Sequence, residues 1–545
     1  MKQILISIII LLILTACAGN PPAATSVPVV TTVPIQSSAS SQPPTATQPS
    51  APTQVAPTQP AASSSAVSSS APASASSAGF VQLGDALNRD KTQAASDYRF
   101  QIGTTDVSKP GVAWVTWAEK QGNTQQIFVA RQNGDKFEPA GASLNIHGNL
   151  VAGGPSIDFT GPDRTVPWVA WNEPSPRAGA SPKQIFASRF NTTTGLWIPA
   201  GQDRGGNEPS LNIHTNKLAQ DPDLVAGATD PTKATSPWVC WEEVSANNNA
   251  VEIFVSQAVA DPTALGGFKW QTVGLNRSGT AQDPEPSVNV DVTGGSNSDH
   301  CRIIFAETSN AVPWVVWSEK IRTNPTQIFV ARAVADNTAG AGGFKWQFVP
   351  NCIAQDPSKC VLNLNPTKDA FEPAMAAGSV IAGQATVPWI VWTEVGANGK
   401  RQVFVNRLDQ VSRNAFLNVG GSLNVDQNRD ASSPDITFVG NVPFVTWDEE
   451  VGNSRRVFIR HLASDPQTGT WVLDTPRDGL AVDRTKLATG PIIRGTANSK
   501  IVISYIQGDP NKEASQIIVC TNATLTSLLI KVPGLAAPLR ATRAC

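Results

Sequence analysis

The chain has 545 residues, 41 Lys and Arg against 43 Asp and Glu, and a formal net charge of −2 at pH 7. Charges this balanced and interspersed exclude the basic face that nucleic acid requires and the polybasic cluster that anionic headgroups attract. With only four histidines (His147, His214, His300, His461) and no metal-ligand spacing among them, neither a zinc centre nor a Ser-His-Asp triad is expected.

The chain begins MKQILISIIILLILTAC, with an unbroken apolar run from Ile4 to Leu14. That run is too short to span a bilayer permanently and has the length and flanks of a secretory signal. Its ending, Leu14-Thr15-Ala16-Cys17, resembles the lipobox of bacterial lipoproteins. The resemblance implies removal of residues 1–16, a diacylglycerol on the Cys17 thiol and usually an acyl chain on the new amino group. Several chains on one residue anchor stably where a single chain would not. The expected location is the outer face of a bacterial membrane, at the cell surface or in the periplasm.

Residues 17–79 follow as a linker built almost wholly of Pro, Ser, Thr, Ala, Gln and Val, without an aromatic or a charge. Such a segment cannot bury enough apolar surface to offset its ordering entropy, so disorder is expected. Its prolines favour extended polyproline II, and at roughly 3 Å per residue it would reach more than 100 Å.

Residues 80–545 repeat. VPWVAWNE (166–173) recurs as GVAWVTWAE (111–119), SPWVCWEE (236–243), VPWVVWSE (312–319), VPWIVWTE (387–394) and VPFVTWDE (442–449), with a worn seventh copy, KIVISYIQ (500–507). After a polar turn each copy is followed by a second apolar run such as QQIFVAR, ending at Arg131, or RRVFIRH, ending at His461. Upstream lies a third element, such as GPSIDF at Gly154 or SPDITF at Ser433, usually with an alanine three residues before its first proline. A fourth element carries a lone aromatic (Phe137, Trp197, Trp270, Trp346, Phe416, Trp471) and leads into a Leu-Asn step. The steps are Leu144-Asn145, Leu211-Asn212, Leu275-Asn276, Leu362-Asn363 and Leu423-Asn424, weakened to Leu480-Ala481 at the end.

Four short β-rich runs per unit and seven units predict an all-β fold, a seven-bladed β-propeller of four-stranded blades. The continuous apolar character of the PWVAW runs fits strands covered on both faces. Phe80-Val81-Gln82-Leu83-Gly84, just before Leu87-Asn88, reads as a fourth strand without its first three, and would close blade seven from the N-terminal side. The competing candidate is 525–532. The chain from Phe80 onward resembles bacterial seven-bladed propellers carried on a lipid anchor. Its blade motif is neither that of WD repeats nor the sialidase aspartate box, so no particular propeller family is named.

Of seven cysteines, six remain once Cys17 is lipidated, an even number in an oxidising compartment. Cys352 and Cys360 bracket a short loop, Cys520 and Cys545 would tie down the C-terminal tail, and Cys240 is left with Cys301. All fifteen tryptophans fall at repeat positions, which marks them as packing elements, with Trp171 facing Phe186 across the hairpin and the arginine closing the next strand near the first tryptophan.

The glutamates closing the second strand, Glu119, Glu173, Glu243, Glu319, Glu394 and Glu449, would ring one face near the asparagines of the Leu-Asn steps. Such a ring is a candidate binding face for a cation or amine. The competing expectation is that each carboxylate accepts hydrogen bonds from backbone or from the facing glutamine (Gln126, Gln184, Gln327, Gln402). Asp426-Gln427-Asn428-Arg429-Asp430 has the alternation of a calcium-loop start but lacks the later glycine and bidentate glutamate, so a polar turn is expected there.

No catalytic residue, cofactor or metal ligand is assigned. With two tyrosines, one of them at a repeat tryptophan position, sialidase chemistry lacks its nucleophile. The expectation is a monomeric, non-catalytic binding or scaffolding module for a surface protein or glycan, working through the glutamate-ringed face and its turns at 174–182, 244–249 and 352–360. The alternatives are a glycosidase or lyase with carboxylates at the central channel, which requires a non-repeated acidic pair there, and a structural part of an envelope complex.

Overall fold

A computed structural model describes residues 79–522 and 543–545, apart from 177–181, 202–207, 275–285, 293–294, 337–341, 351–359, 465–468 and 509–513. The signal segment, the linker up to residue 78, the rival closing strand at 525–532 and Cys352 lie outside the described residues.

Seven four-stranded antiparallel sheets follow one another along the chain, each with its strands in sequence order except the last. That sheet pairs Ala488–Gly495, Ile501–Gln507 and Gln516–Asn522 with Phe80–Gln82, so the N-terminal strand closes the ring as expected. The C-terminal tail seals the seam from outside: Ala544 bridges Val81, the Cys545 N–H donates to the Phe80 carbonyl, and Cys520 is bonded to Cys545. A second disulfide, Cys240–Cys301, joins blade three to blade four. Cys360 is fully buried and disulfide-bonded.

The second strands are the most buried, because blades cover both of their faces. The second tryptophan of each faces a phenylalanine on the third strand, as in Trp171–Phe186 with centroids 6.2 Å apart. The first tryptophan reaches the next blade and meets its aromatics edge-on, Trp114 with Phe159 and Trp389 with Phe438. The expected arginine stacks over it form in blades one and four (Arg131 on Trp114, Arg332 on Trp314), whereas Arg189 lies over Phe268. Outer-strand tryptophans tie neighbouring blades together, since Trp270 Nε1 donates to the Ala200 carbonyl at 3.1 Å. Gly201, at φ 105°, lies beneath that ring, where a Cβ would come within 2.2 Å of the indole nitrogen.

The innermost strands all break register at the same point, each skipping two residues. The skipped pairs are Asp97-Tyr98, Gly154-Pro155, Asp221-Pro222, His300-Cys301, Glu372-Pro373, Ser433-Pro434 and Gly490-Pro491, and the first member of every pair has positive φ, from 43° to 59°. Proline cannot donate to the ladder and so is accommodated at a bulge. This is the structural meaning of the alanine-to-proline spacing in the sequence.

Candidate functional site at the channel mouth

The six repeated glutamates do ring one face, but as internal clasps. Each is at most 2% exposed. Glu319 accepts from Trp317 Nε1 at 2.9 Å and from the backbone N–H groups of Val290 and Asp291 at 2.9 and 3.0 Å. Glu119, Glu173, Glu243, Glu394 and Glu449 repeat the pattern on their own tryptophans and on the two residues after the preceding asparagine. Burial pushes the carboxyls of Glu319, Glu394 and Glu449 up, while the three N–H donors around each pull them down. With both oxygens engaged on protein N–H groups, the ring is no ligand-facing array, which corrects the idea of a cation-binding face there. The facing glutamines turn away from the carboxylates: Gln126 Nε2 donates to the Gly148 carbonyl and Gln184 Nε2 to that of Thr215.

The asparagine of each step accepts from the third strand through Oδ1, as Asn145 does from the Ile127 N–H at 2.9 Å. In blade three Asn289 fills this role, taking the Ile253 N–H at 2.8 Å. Val288-Asn289 is therefore the step there, and Leu275-Asn276, which mimics it in sequence, lies outside the described residues. In the Asp426–Asp430 turn the Asp426 N–H donates to Glu449, and Asp430 accepts from Lys400 at 2.7 Å and from the Arg401 N–H.

Non-repeated chemistry collects instead around the central channel, a cavity of about 440 Å³ lined by the innermost strands. The bulges place Asp97, Asp221, His300 and Glu372 at one end, each a non-glycine residue at positive φ. Strain of this kind persists where the surroundings over-determine it and clusters at functional sites. One step deeper, in matching register, come Arg99, Ser156, Asp223, Arg302, Ala374, Asp435 and Ile492. Channel carboxylates also stitch blades together, Asp158 accepting from the Ala226 N–H at 2.7 Å and Asp223 from the Ile303 N–H at 3.0 Å.

At the mouth, Asp221, Glu242 and Asp299 each place an oxygen within 4.8 Å of the others. Glu242 is buried, accepts from the His300 N–H at 2.8 Å and from Gln220 Nε2 at 3.0 Å, and shares a hydrogen bond with Asp299. Burial first, then that hydrogen bond and the charges of Asp221 and Asp299, push its carboxyl up to about 9. Burial acts against Asp299 too, yet the His300 hydrogen bond and charge bring it down to about 2. One protonated and one ionised carboxyl thus share a proton at neutral pH. Three such oxygens form a donor set that a hard cation accepts.

Neither this cluster nor Arg99 and Arg302 was singled out from sequence. The available signal was that, just before and just after each bulge proline or its counterpart, residue type changes from blade to blade. Of the working loops expected from sequence, 177–181 and 351–359 lie outside the described residues.

No family model and no curated protein matches the chain. Among solved structures it is similar to a protein of unknown function from Dyadobacter fermentans, at 10% identity over 81% of this chain and 98% of that one, with a TM-score of 0.42. An alpha-L-arabinanase from Penicillium chrysogenum aligns at 9% identity, 81% and 97% coverage and a TM-score of 0.39. The NanB sialidase from Streptococcus pneumoniae gives 10%, 81% and 70%, also with a TM-score of 0.39. Likeness this distant carries no argument about ligand or activity, which rest on the chain's own geometry.

Proposed function

We propose that this chain is an exported propeller, anchored through a lipidated Cys17 and the 17–79 linker, that binds the end of a surface glycan at the mouth of its central channel without cleaving it. One observation carries the reading. Repeated polar residues are consumed by the frame, whereas the bulges of the innermost strands carry non-repeated ones (Asp97, Asp221, His300, Glu372), of which His300 and Glu372 line the cavity. Variable side chains on a rigid repeat scaffold are where such folds place recognition. A saccharide offers hydroxyl donors to the carboxylates at the mouth and acceptors to the arginines below.

A second reading, glycoside hydrolysis, draws on the split protonation of Glu242 and Asp299, since an acid beside an ionised carboxylate is the pairing such chemistry uses. Spacing favours binding. The two carboxyls share a hydrogen bond, closer than the ~5–5.5 Å between the carboxyls of retaining enzymes or the ~6.5–9.5 Å of inverting ones.

The test is a glycan-array screen with the protein freed from its anchor by Cys17→Ser, each hit followed by mass spectrometry. A ligand bound and recovered intact, with binding lost in Glu372→Gln and Asp221→Asn, supports the module. Cleaved glycan overturns it in favour of the hydrolase. Retention of the Cys17→Ser protein in the membrane fraction would overturn the anchor.

A further inference from the structure

Arg99 and Arg302 stand apart from the other charges of the channel. They occupy the same register position in blades one and four, facing Thr116 and Val316 on their second strands, and both line the cavity. Two blades lie between them one way around the ring of seven and three the other, so they approach from different sides. Their neighbours are matched: Arg164 holds Asp158 at 3.1 Å, and Arg494 holds Asp435 at 2.7 Å. Arg99 and Arg302 have no such partner among the described residues. Each guanidinium donates only to the carbonyl of the preceding residue, Tyr98 at 3.1 Å and Cys301 at 2.7 Å.

The carboxylates at this level are already engaged, Asp223 by Ser156 Oγ at 3.3 Å and the Ile303 N–H, Asp435 by Arg494 and the Ile493 N–H. Arg99 and Arg302 thus line the cavity without a carboxylate of their own among the described residues. The cost is visible on Arg99, whose guanidinium is brought down to about 10 by burial first and then by the charge of Arg302. Planar guanidinium forks match carboxylate and sulfate oxygens.

We infer that Arg99 and Arg302 form an oxyanion subsite deep in the channel, which takes the carboxylate or sulfate of an acidic saccharide. The inference rests on the glycan-binding reading and narrows its ligand class. The mouth carboxylates then hold hydroxyl groups of the same sugar, and protonated Glu242 lowers the negative charge that the anion passes.

The experiment uses the full-length protein in detergent, titrated calorimetrically with glucuronate, a sulfated disaccharide and, as the neutral control, glucose. The expected result is binding of one or both acidic probes at least tenfold tighter than glucose. Arg99→Gln and Arg302→Gln should each weaken it tenfold or more, while Arg494→Gln, whose arginine is already paired, leaves it within twofold. Circular dichroism melts verify folding, and Arg302→Lys serves if a glutamine variant fails to fold, again with tenfold weakening because a point charge cannot replace the fork. Equal affinity for acidic and neutral sugars, or acidic binding unchanged by both arginine variants, overturns the subsite. Array binding that survives the arginine variants but is lost in Glu372→Gln overturns it while leaving the glycan reading intact. No binding of any saccharide removes both.

Discussion

Arg456 replaces the side chain that Ala481 lacks. At the six other blade junctions an asparagine follows the leucine or valine of the step; at the last it is Ala481, which has no amide. Arg456 stands opposite Glu449, where blade three carries Glu252 and the remaining blades glutamine, and its guanidinium donates to the carbonyls of Lys486, at 2.9 Å, and Arg484. Those are the counterparts of the Leu150 and Gly148 carbonyls that Asn145 and Gln126 hold in blade one. Arg456→Ala should therefore destabilise the protein by about 1–3 kcal/mol, because it takes a donor from the Arg484 carbonyl and leaves that of Lys486 to the longer Ser454 Oγ bond at 3.4 Å. Ala481→Asn with Arg456→Gln should recover most of that loss. A double-mutant cycle in urea, with no coupling between the two positions, would refute the replacement.

The clasps make a second prediction. Glu319→Ala strips an acceptor from one indole and two backbone N–H groups at once. At about 1–3 kcal/mol per buried donor left unpaired, partly offset by water entering the gap, the loss should be about 3 kcal/mol or more. Blade seven already runs on weaker parts, since the Tyr505 hydroxyl accepts the Val482 N–H at 3.1 Å and Gln507 Oε1 the Asp483 N–H at 3.0 Å. Gln507→Ala should then cost less than Glu319→Ala when the two are compared by chemical denaturation.

At the channel mouth, pH dependence follows from Glu242. Its ordinary value is 4.5, and in the folded protein it stands at about 9. Between those limits the folded state holds a proton that the unfolded state has released, so this group lowers stability as pH rises. Asp299, with an ordinary value of 3.8 brought down to about 2, does the reverse: it stabilises above pH 3.8 and loses that contribution as pH falls toward 2. Glu242→Gln keeps a donor toward Asp299 and removes the titration. The melting temperature of the variant should gain steadily on the wild type from pH 5 to pH 9, and parallel curves would refute the protonated state.

Cys240–Cys301 closes a loop of 61 residues between neighbouring blades. On chain-entropy grounds Cys240→Ala/Cys301→Ala should cost about 4 kcal/mol, unless the reduced chain retains structure. Reductant should lower the wild-type urea midpoint by more than it lowers the variant's, which has only Cys520–Cys545 and the Cys360 disulfide left to lose.

The frame was legible because its parts are used repeatedly. Trp and Glu two residues apart recur wherever a carboxylate must accept from its own strand's indole and from a pair of backbone N–H groups, and the closing strand at Phe80 showed itself as a unit without its first three strands. Leu275-Asn276 misled because two residues suffice to imitate a step, whereas the loop before Val288 is long. The channel was illegible for a different reason. Each innermost strand slips two residues at its bulge, so alternation upstream does not predict which side chains face inward downstream. Arg99 and Arg302 have meaning only as departures from neighbours seven blades around, and that comparison needs the register.

The seam of blade seven has a mechanical consequence. Phe80–Gln82 is held on one side by Gln516–Asn522 and on the other by the Ala544 bridge, with Cys545 bolted to Cys520 behind it. A pull on the chain ahead of Phe80 is therefore borne by a strand gripped along both edges and backed by a covalent bond. The rest of the ring stays unloaded until that grip fails, and reducing agents should make the latch easier to tear.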